Sequence, residues 1–357
     1  MPTHPKRLIT LWCFGLIVGT AVIAATSPLF VRSYLPEQRD PVRGRYVPVA
    51  GSEYRWRSEG YATTKIGAHG MPGRVDVGQP VPDSIRVALW GDSQAEGVCV
   101  GDDDKLFAQI QRIGRAAGRS IEVLPFARSG EDATDWLAQM PSVERALAID
   151  LHVLVVAELP DLLAVDQPSL DRERSERDVA FQSAIASRVP AFAIQAIRQL
   201  LRDADDKPRR WRFSLGPVVK PEPAVAVAAF ASRAKWTRVM QTVRSTSDRP
   251  IIIAYAPRSP KISAGNIDLT DPWGEQFQTM ERAAANAAVG VVDTSDALGD
   301  AAREGRWPHG FDNGQIGSGH LNAIGYRVIA EQICPAIIAW FDRGPGASAP
   351  RLMNHPG

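Results

Sequence analysis

The stretch VALWGDSQAEGV, residues 87–98, runs four apolar residues into Gly91, Asp92 and Ser93 before the chain turns polar. A hydroxyl at the C-terminal end of a buried parallel strand faces the crevice where ligands bind in α/β folds. If a helix follows, its first backbone N–H groups lie close enough to hold a negative oxygen. Gly91 suits the tight turn that such a placement needs. Ser93 also has a plainer reading, as a helix N-cap. As a nucleophile it requires a base, because a serine hydroxyl is weakly nucleophilic at its own pKa.

Six histidines are present: His4, His69, His152, His309, His320 and His355. His4 and His355 lie in the tails, His152 sits inside an apolar run and reads as core, and His309 reads as a surface-loop residue. His320 stands in GSGHLNAIGY, after a Gly-rich loop and before the last helix. That places an imidazole near the edge where the first strand ends, and Ser93 with His320 is the nucleophile–base pair the chain offers.

The elements needed to bring the pair together recur along the chain. Short apolar runs, IRVALW, IEVLPFA, LHVLVVAE, PIIIAYAP and VGVVDTS, alternate with segments of helical spacing such as KLFAQIQRIGRAAG and the closing LNAIGYRVIAEQICPAIIAWF. Strands too apolar to have a wet face imply a mostly parallel sheet covered by helices on both sides. Pro141 is expected to kink or split the helix in DATDWLAQMPSVERALA. Residues 161–248 hold no clear strand but two helical stretches. They read as a helical insertion over the C-terminal edge of the sheet, or as long crossover helices with no part in the site. Residues 32–84, rich in Pro, Gly and Arg, read as a linker and an irregular arm.

Together, GDSQAEG and His320-Leu321-Asn322 with Gly325 resemble the SGNH (GDSL-type) hydrolase family, whose last block reads HLNxxG. ATTKIGAHGMPG before the first strand is similar to a looser TNxxGxRG segment of exported relatives. The resemblance covers about residues 60–341. It implies a flavodoxin-like three-layer α/β/α sandwich that cleaves or transfers acyl esters, with Ser93 as nucleophile and His320 as base. By the same resemblance, the Ser93 backbone N–H and Gly130 of ARSGED form the oxyanion hole.

Two departures stand out. Gly317 occupies the place of the family's DxxH carboxylate, and Pro160 falls where the Asn of GxND would donate to the oxyanion. Asp312, in the same loop as His320 and otherwise an ordinary turn residue, is the candidate carboxylate for the imidazole. Glu158 or Asp161 could reach the crevice from the third strand, and a backbone carbonyl could also orient the ring.

The chain has 357 residues, with 41 Lys and Arg against 40 Asp and Glu. That balance gives no basic face for nucleic acid, and the basic run at 207–213 follows acidic residues 203–206 as a solvated loop would. GDS lacks the Gly-Lys-Ser of a nucleotide loop, and no metal-ligand spacing appears, so neither metal nor cofactor is expected. Residues 8–31 carry no charge and are long enough to cross a bilayer. Lys6 and Arg7 before them favour a cytoplasmic N-terminus, although arginines also follow the segment.

The organisation expected is therefore a tip and transmembrane anchor over 1–31, the arm over 32–84, the hydrolase-like domain over 85–345 and a tail over 346–357. The catalytic domain would face outside the cytoplasm, in the cell envelope or periplasm. Signal cleavage at AVIAATSP and secretion is the rival. Cys99 and Cys334 read as a pair in an oxidising compartment or as two buried thiols. The expected activity is that of a serine esterase or O-acyltransferase acting on acyl, chiefly acetyl, esters, with an envelope glycan as a candidate substrate. The alternative is an inactive envelope binding module of the same fold.

Overall fold

A computed structural model describes residues 5–27, 35–57, 59–166, 184, 188–190, 192–194 and 231–343 of the chain. Helix α1 (Pro5–Thr26) opens it. Its segment Lys6–Thr26 has a mean hydropathy of 2.3 and no buried share, and is long and apolar enough to cross a membrane.

The arm that follows is ordered rather than irregular. It forms two antiparallel hairpins, β1 (Glu37–Asp40) with β2 (Arg45–Pro48), and β3 (Glu53–Trp56) with β4 (Ala62–Lys65). Four-residue hairpins this polar are not stable alone; Tyr54 of the second and Ile66 just after it pack with Val98 and Cys99, and the first is docked by charged contacts. Arg43 is buried: its Nε donates to Gln139 Oε1 (2.6 Å), one Nη donates to Phe126 O (2.9 Å), and Glu131 lies 3.5 Å away. Burial pushes the Arg43 guanidinium down to about 10, against the pull of Glu131. A charge in such a place is tolerated only when paired and hydrogen-bonded, so Arg43 holds the arm in one place.

The five apolar runs form one sheet. β5 (Ser84–Gly91) is followed by α2 (Ser93–Glu96) and α3 (Leu106–Ala116), then β6 (Ser120–Pro125), α4 (Ala133–Leu147), β7 (Leu151–Val156) and α5 (Pro160–Leu163). After α6 (Arg233–Ser245) come β8 (Ile251–Tyr255), a small hairpin of β9 (Lys261–Ser263) and β10 (Asn266–Asp268), α7 (Gly274–Asn286), β11 (Gly290–Asp293), α8 (Ser295–Arg303) and α9 (Ala323–Arg343). The spatial order is β11-β8-β7-β5-β6, and every neighbouring pair is parallel. Counted among sheet strands alone this is 2-1-3-4-5, the flavodoxin-like order. Its switch point lies beside β5, where the chain leaves on one side for β6 and returns on the other to β7.

Each sheet face is covered. Trp136 of α4, Trp236 of α6 and Met280 of α7 pack on one side, and Leu106 of α3, Leu298 of α8 and Ile333 of α9 on the other. All six are at most 0% exposed, and each such side chain contributes roughly 1.5–3 kcal/mol. The result is the expected three-layer α/β/α sandwich.

One detail differs from the sequence reading. Helix α4 runs unbroken through Pro141, because Trp136, Met140 and Val143 are buried on both sides of the proline. Within the stretch 161–248, helix α6 packs into a sheet-face core, as the crossover-helix alternative has it. Most of the insertion, and the tail 346–357, lie outside the described residues. Cys99 and Cys334 are buried, free thiols.

Candidate active site

Strand β5 ends at Gly91, and the sharp turn after it requires that glycine. A Cβ there would lie 2.4 Å from the Ala95 side chain and 2.9 Å from Val155 O. Asp92 caps the short helix α2, accepting from Gln94 N at 2.8 Å. Ser93 is therefore the first residue of that helix, half-buried at the switch point.

His320 approaches it from the loop before α9. Its Nε2 lies 3.1 Å from Ser93 Oγ, so the two segments expected to meet do meet. Gln94, the residue after the serine, locks this approach twice. Its Oε1 accepts the Leu321 N–H (3.0 Å), and its carbonyl accepts the Tyr326 hydroxyl (2.6 Å). Asn322 Oδ1 caps α9 by accepting from the N–H groups of Ile324 and Gly325, while its amide donates to Trp307 O and Gly310 O. Gly325 is pressed on the loop, since a Cβ there would lie 2.4 Å from Pro308 O. The HLNxxG pattern is thus a clamp that ties the loop 308–322 to the last helix.

The carboxylate on the imidazole is Glu59, which lies in the arm between β3 and β4. Its Oε2 is 2.7 Å from His320 Nδ1, and its Oε1 accepts the His320 backbone N–H at 2.8 Å. Burial alone would raise the Glu59 carboxyl, but the hydrogen bonds and charge of His320 outweigh it and hold it below its ordinary range. A carboxylate at Nδ1 fixes the tautomer with the proton there, leaving the Nε2 lone pair for the serine hydroxyl. Trp56 stands edge-on to the ring, centroids 6.2 Å apart.

Asp312, the carboxylate expected from sequence, is instead an exposed residue of the loop's outer turn, and the ring nitrogen it would have held faces Glu59. Gly317, at the DxxH position, has φ +76 and is packed so closely on Ile262 that a Cβ would lie 2.5 Å from its side chain. Glu158 pairs with Arg258 at 2.8 Å. His309 is also not a surface residue: it is 1% exposed, and burial, followed by the charges of Arg258 and Lys261, pushes its imidazole down to about 4. His152 is core as expected, accepting from Trp90 Nε1 at 3.1 Å.

Glu59 was hidden because nothing local marks it. The signal lay near His320 instead. Gly319 next to it leaves room for a carboxylate from elsewhere, since a Cβ there would lie 2.0 Å from Glu59 Oε1. On the other side, Asn313 grips Gly60 through both backbone groups, accepting its N–H at 2.7 Å and donating to its carbonyl at 3.1 Å.

Gly130 is an exposed residue of the loop between β6 and α4, with φ +82. Arg128 N–H donates to Gly91 O (2.9 Å), and Ser129 N–H to Glu96 Oε2 (2.7 Å). These bonds stitch the loop to the strand end that carries Ser93. Glu59, Cys99 and His320 also place one possible metal-donor atom each within 4.8 Å of one another. Two of the three are engaged in the line just described. Burial, followed by the charge of Glu59, keeps the Cys99 thiol in its neutral form, whereas a metal would need the thiolate.

No family model and no curated protein sequence matches the chain. Solved structures similar to it include the lipase/acylhydrolase from Enterococcus faecalis, at 14% identity over 74% of this chain and 100% of that one, with a TM-score of 0.39. Another is the Clostridium thermocellum family 3 carbohydrate esterase, at 13% identity over 74% and 100%, with a TM-score of 0.39. A third is the acetylxylan esterase Axe2 of Geobacillus stearothermophilus, at 11% identity over 74% and 96%, with a TM-score of 0.39.

Proposed function

We propose that this chain is an SGNH-type serine esterase or O-acyltransferase. The observation that carries the reading is the unbroken line from Ser93 Oγ through His320 to Glu59, at 3.1 and 2.7 Å. Ser93 Oγ attacks the acyl carbonyl while His320 Nε2 takes its proton. Glu59 stabilises the imidazolium that forms. The backbone N–H groups of Ser93 and Gly130 hold the oxyanion. His320 then returns the proton to the departing alcohol, leaving an acyl-serine that water or an acceptor alcohol resolves.

Anchored by α1, with Lys6 and Arg7 on the cytoplasmic side, the domain works outside the cytoplasm. Acetyl esters of a cell-envelope glycan are its substrate class. A second reading, a binding module without catalysis, is favoured by Pro160, whose side chain has no donor for an oxyanion. Loss of one such donor lowers rates by roughly 10²–10³-fold, which weakens catalysis without abolishing it.

The test is labelling of the purified, folded full chain with a fluorophosphonate. Ser93 is expected to react and Ser93→Ala to remove the label. A folded wild-type protein that stays unlabelled and leaves p-nitrophenyl acetate intact selects the binding module.

A further inference from the structure

One buried carboxylate near the site takes no part in the line of Ser93, His320 and Glu59. Glu96 closes the single turn of α2, three residues after the nucleophile, and is 9% exposed. Both of its oxygens are used, and they are used on different segments. Oε1 accepts the Tyr54 hydroxyl at 2.7 Å, and Tyr54 belongs to β3, five residues before Glu59. Oε2 accepts both the backbone N–H and the hydroxyl of Ser129, each at 2.7 Å, and Ser129 immediately precedes Gly130.

From these contacts we infer that Glu96 is a positioning residue that fastens two separately folded parts of the site, the arm bearing Glu59 and the loop bearing Gly130, to the turn bearing Ser93. The inference rests on the esterase reading for its catalytic meaning, but the fastening itself does not.

The need for such a fastener follows from where the site's parts come from. Ser93 and His320 are tied to each other through Gln94. Glu59 and Gly130 come from a short two-stranded hairpin and a loop, both outside the five-stranded sheet, and segments outside a domain's central sheet open more readily than its core strands. Misplacing a reacting group by about 1 Å can lower a rate by 10²-fold. A carboxylate suits the junction because it accepts on both oxygens, and all three protons it meets come from neutral donors. Buried Lys105 lies underneath, its ammonium donating to the carbonyls of Glu96 and Gly97, so the charge is not left isolated. A glutamine can reproduce the arrangement, with its oxygen toward Ser129 and its amide donating to the Tyr54 oxygen. An alanine cannot.

The experiment compares wild type with Glu96→Ala, Glu96→Gln and Tyr54→Phe as full chains in detergent. One measurement is amide hydrogen exchange, and the other is the turnover of p-nitrophenyl acetate. In Glu96→Ala, exchange rises in residues 53–66 and 126–132 together while β5 and β7 stay protected. In the same variant kcat falls about 10- to 100-fold with KM nearly unchanged. Tyr54→Phe raises exchange in the arm alone, and Glu96→Gln restores most of kcat. Unchanged exchange in both segments of Glu96→Ala overturns the inference, as does uniform exchange across the sheet, which would mark a merely structural residue. Glu96→Ala with loosened segments and wild-type turnover also overturns it. A wild-type protein inert to the ester and to the fluorophosphonate overturns the esterase reading instead, and the exchange measurement then still decides whether Glu96 holds the two segments.

Discussion

Glu59 meets His320 at two points across 261 residues of sequence, one carboxylate oxygen on the ring nitrogen Nδ1 and the other on the backbone N–H. A two-point contact sets the direction of the imidazole as well as its tautomer. In the DxxH arrangement the acid and the base share one loop and move together. Here the acid is carried by an arm that docks on the domain through Arg43, Tyr54 and Gly60, so the geometry of the base depends on the placement of a separate segment.

Replacing that acid separates orientation from the rest of the machinery. Glu59→Gln places an amide NH2 where a second acceptor stood, which favours the wrong tautomer of His320. With Ser93 intact, kcat for an acetyl ester is expected to fall about 10²–10⁴-fold, with KM within a few-fold and the fold preserved. Steady-state kinetics beside circular dichroism check this. Turnover at the wild-type rate would remove Glu59 from the mechanism.

Gly319→Ala tests the same contact without removing any reacting group. The new Cβ would lie 2.0 Å from Glu59 Oε1, at a residue whose φ is +89. The carboxylate must withdraw, and kcat should fall by about 10²-fold. In a Glu59→Ala background the same substitution should change kcat little, because the group it displaces is already gone. A double-mutant cycle reads the coupling, and simple additivity would refute the steric account.

The strands of the sheet and the pair Ser93 and His320 were legible because both follow from local rules. IRVALW and PIIIAYAP are too apolar to be anything but buried, and a serine at the end of the first such strand lies in the crevice. The hairpins of the arm were not legible. EQRD and RYVP show no alternation of apolar and polar residues, and their order comes from Arg43 and Arg45 meeting Glu131 across the fold. Glu59 was hidden for the same reason: its role is set by Gly60, Asn313 and Gly319, each of which looks like an ordinary turn residue alone. His309 misled in the opposite sense. It reads as a surface-loop residue between Pro308 and Gly310, yet the clamp formed by Asn322 folds that loop inward.

Asn313 is the arm's second point of attachment at the site. Asn313→Ala removes both hydrogen bonds to Gly60, each contributing about 0.5–1.5 kcal/mol. Loosening the Gly60 backbone moves the neighbouring Glu59, so kcat should fall about 10-fold, less than in Glu59→Gln. Asn313→Asp keeps the acceptor for the Gly60 N–H and loses the donor to its carbonyl, and should fall between wild type and alanine. A reversed order of the three rates would count against the clamp.

Asp161 adds a pH dependence to stability at the same strand edge. Burial, followed by the charges of Asp92, Glu158 and Asp132, pushes its carboxyl up to about 7, from an ordinary value near 3.8. A carboxyl whose pKa is raised by folding favours the folded state while it is protonated. That contribution is full below about pH 4 and is lost as the pH rises through about 7. Asp161→Asn keeps the shape and cannot ionise. It should therefore melt about 2–5 °C above wild type at pH 8 and close to wild type at about pH 3.5, below both the folded and the unfolded pKa, where the carboxyl is largely protonated in either state. Thermal unfolding of the two proteins at these pH values decides the matter: a difference in Tm that is the same at both would mean that Asp161 does not change its protonation across this range in the folded protein.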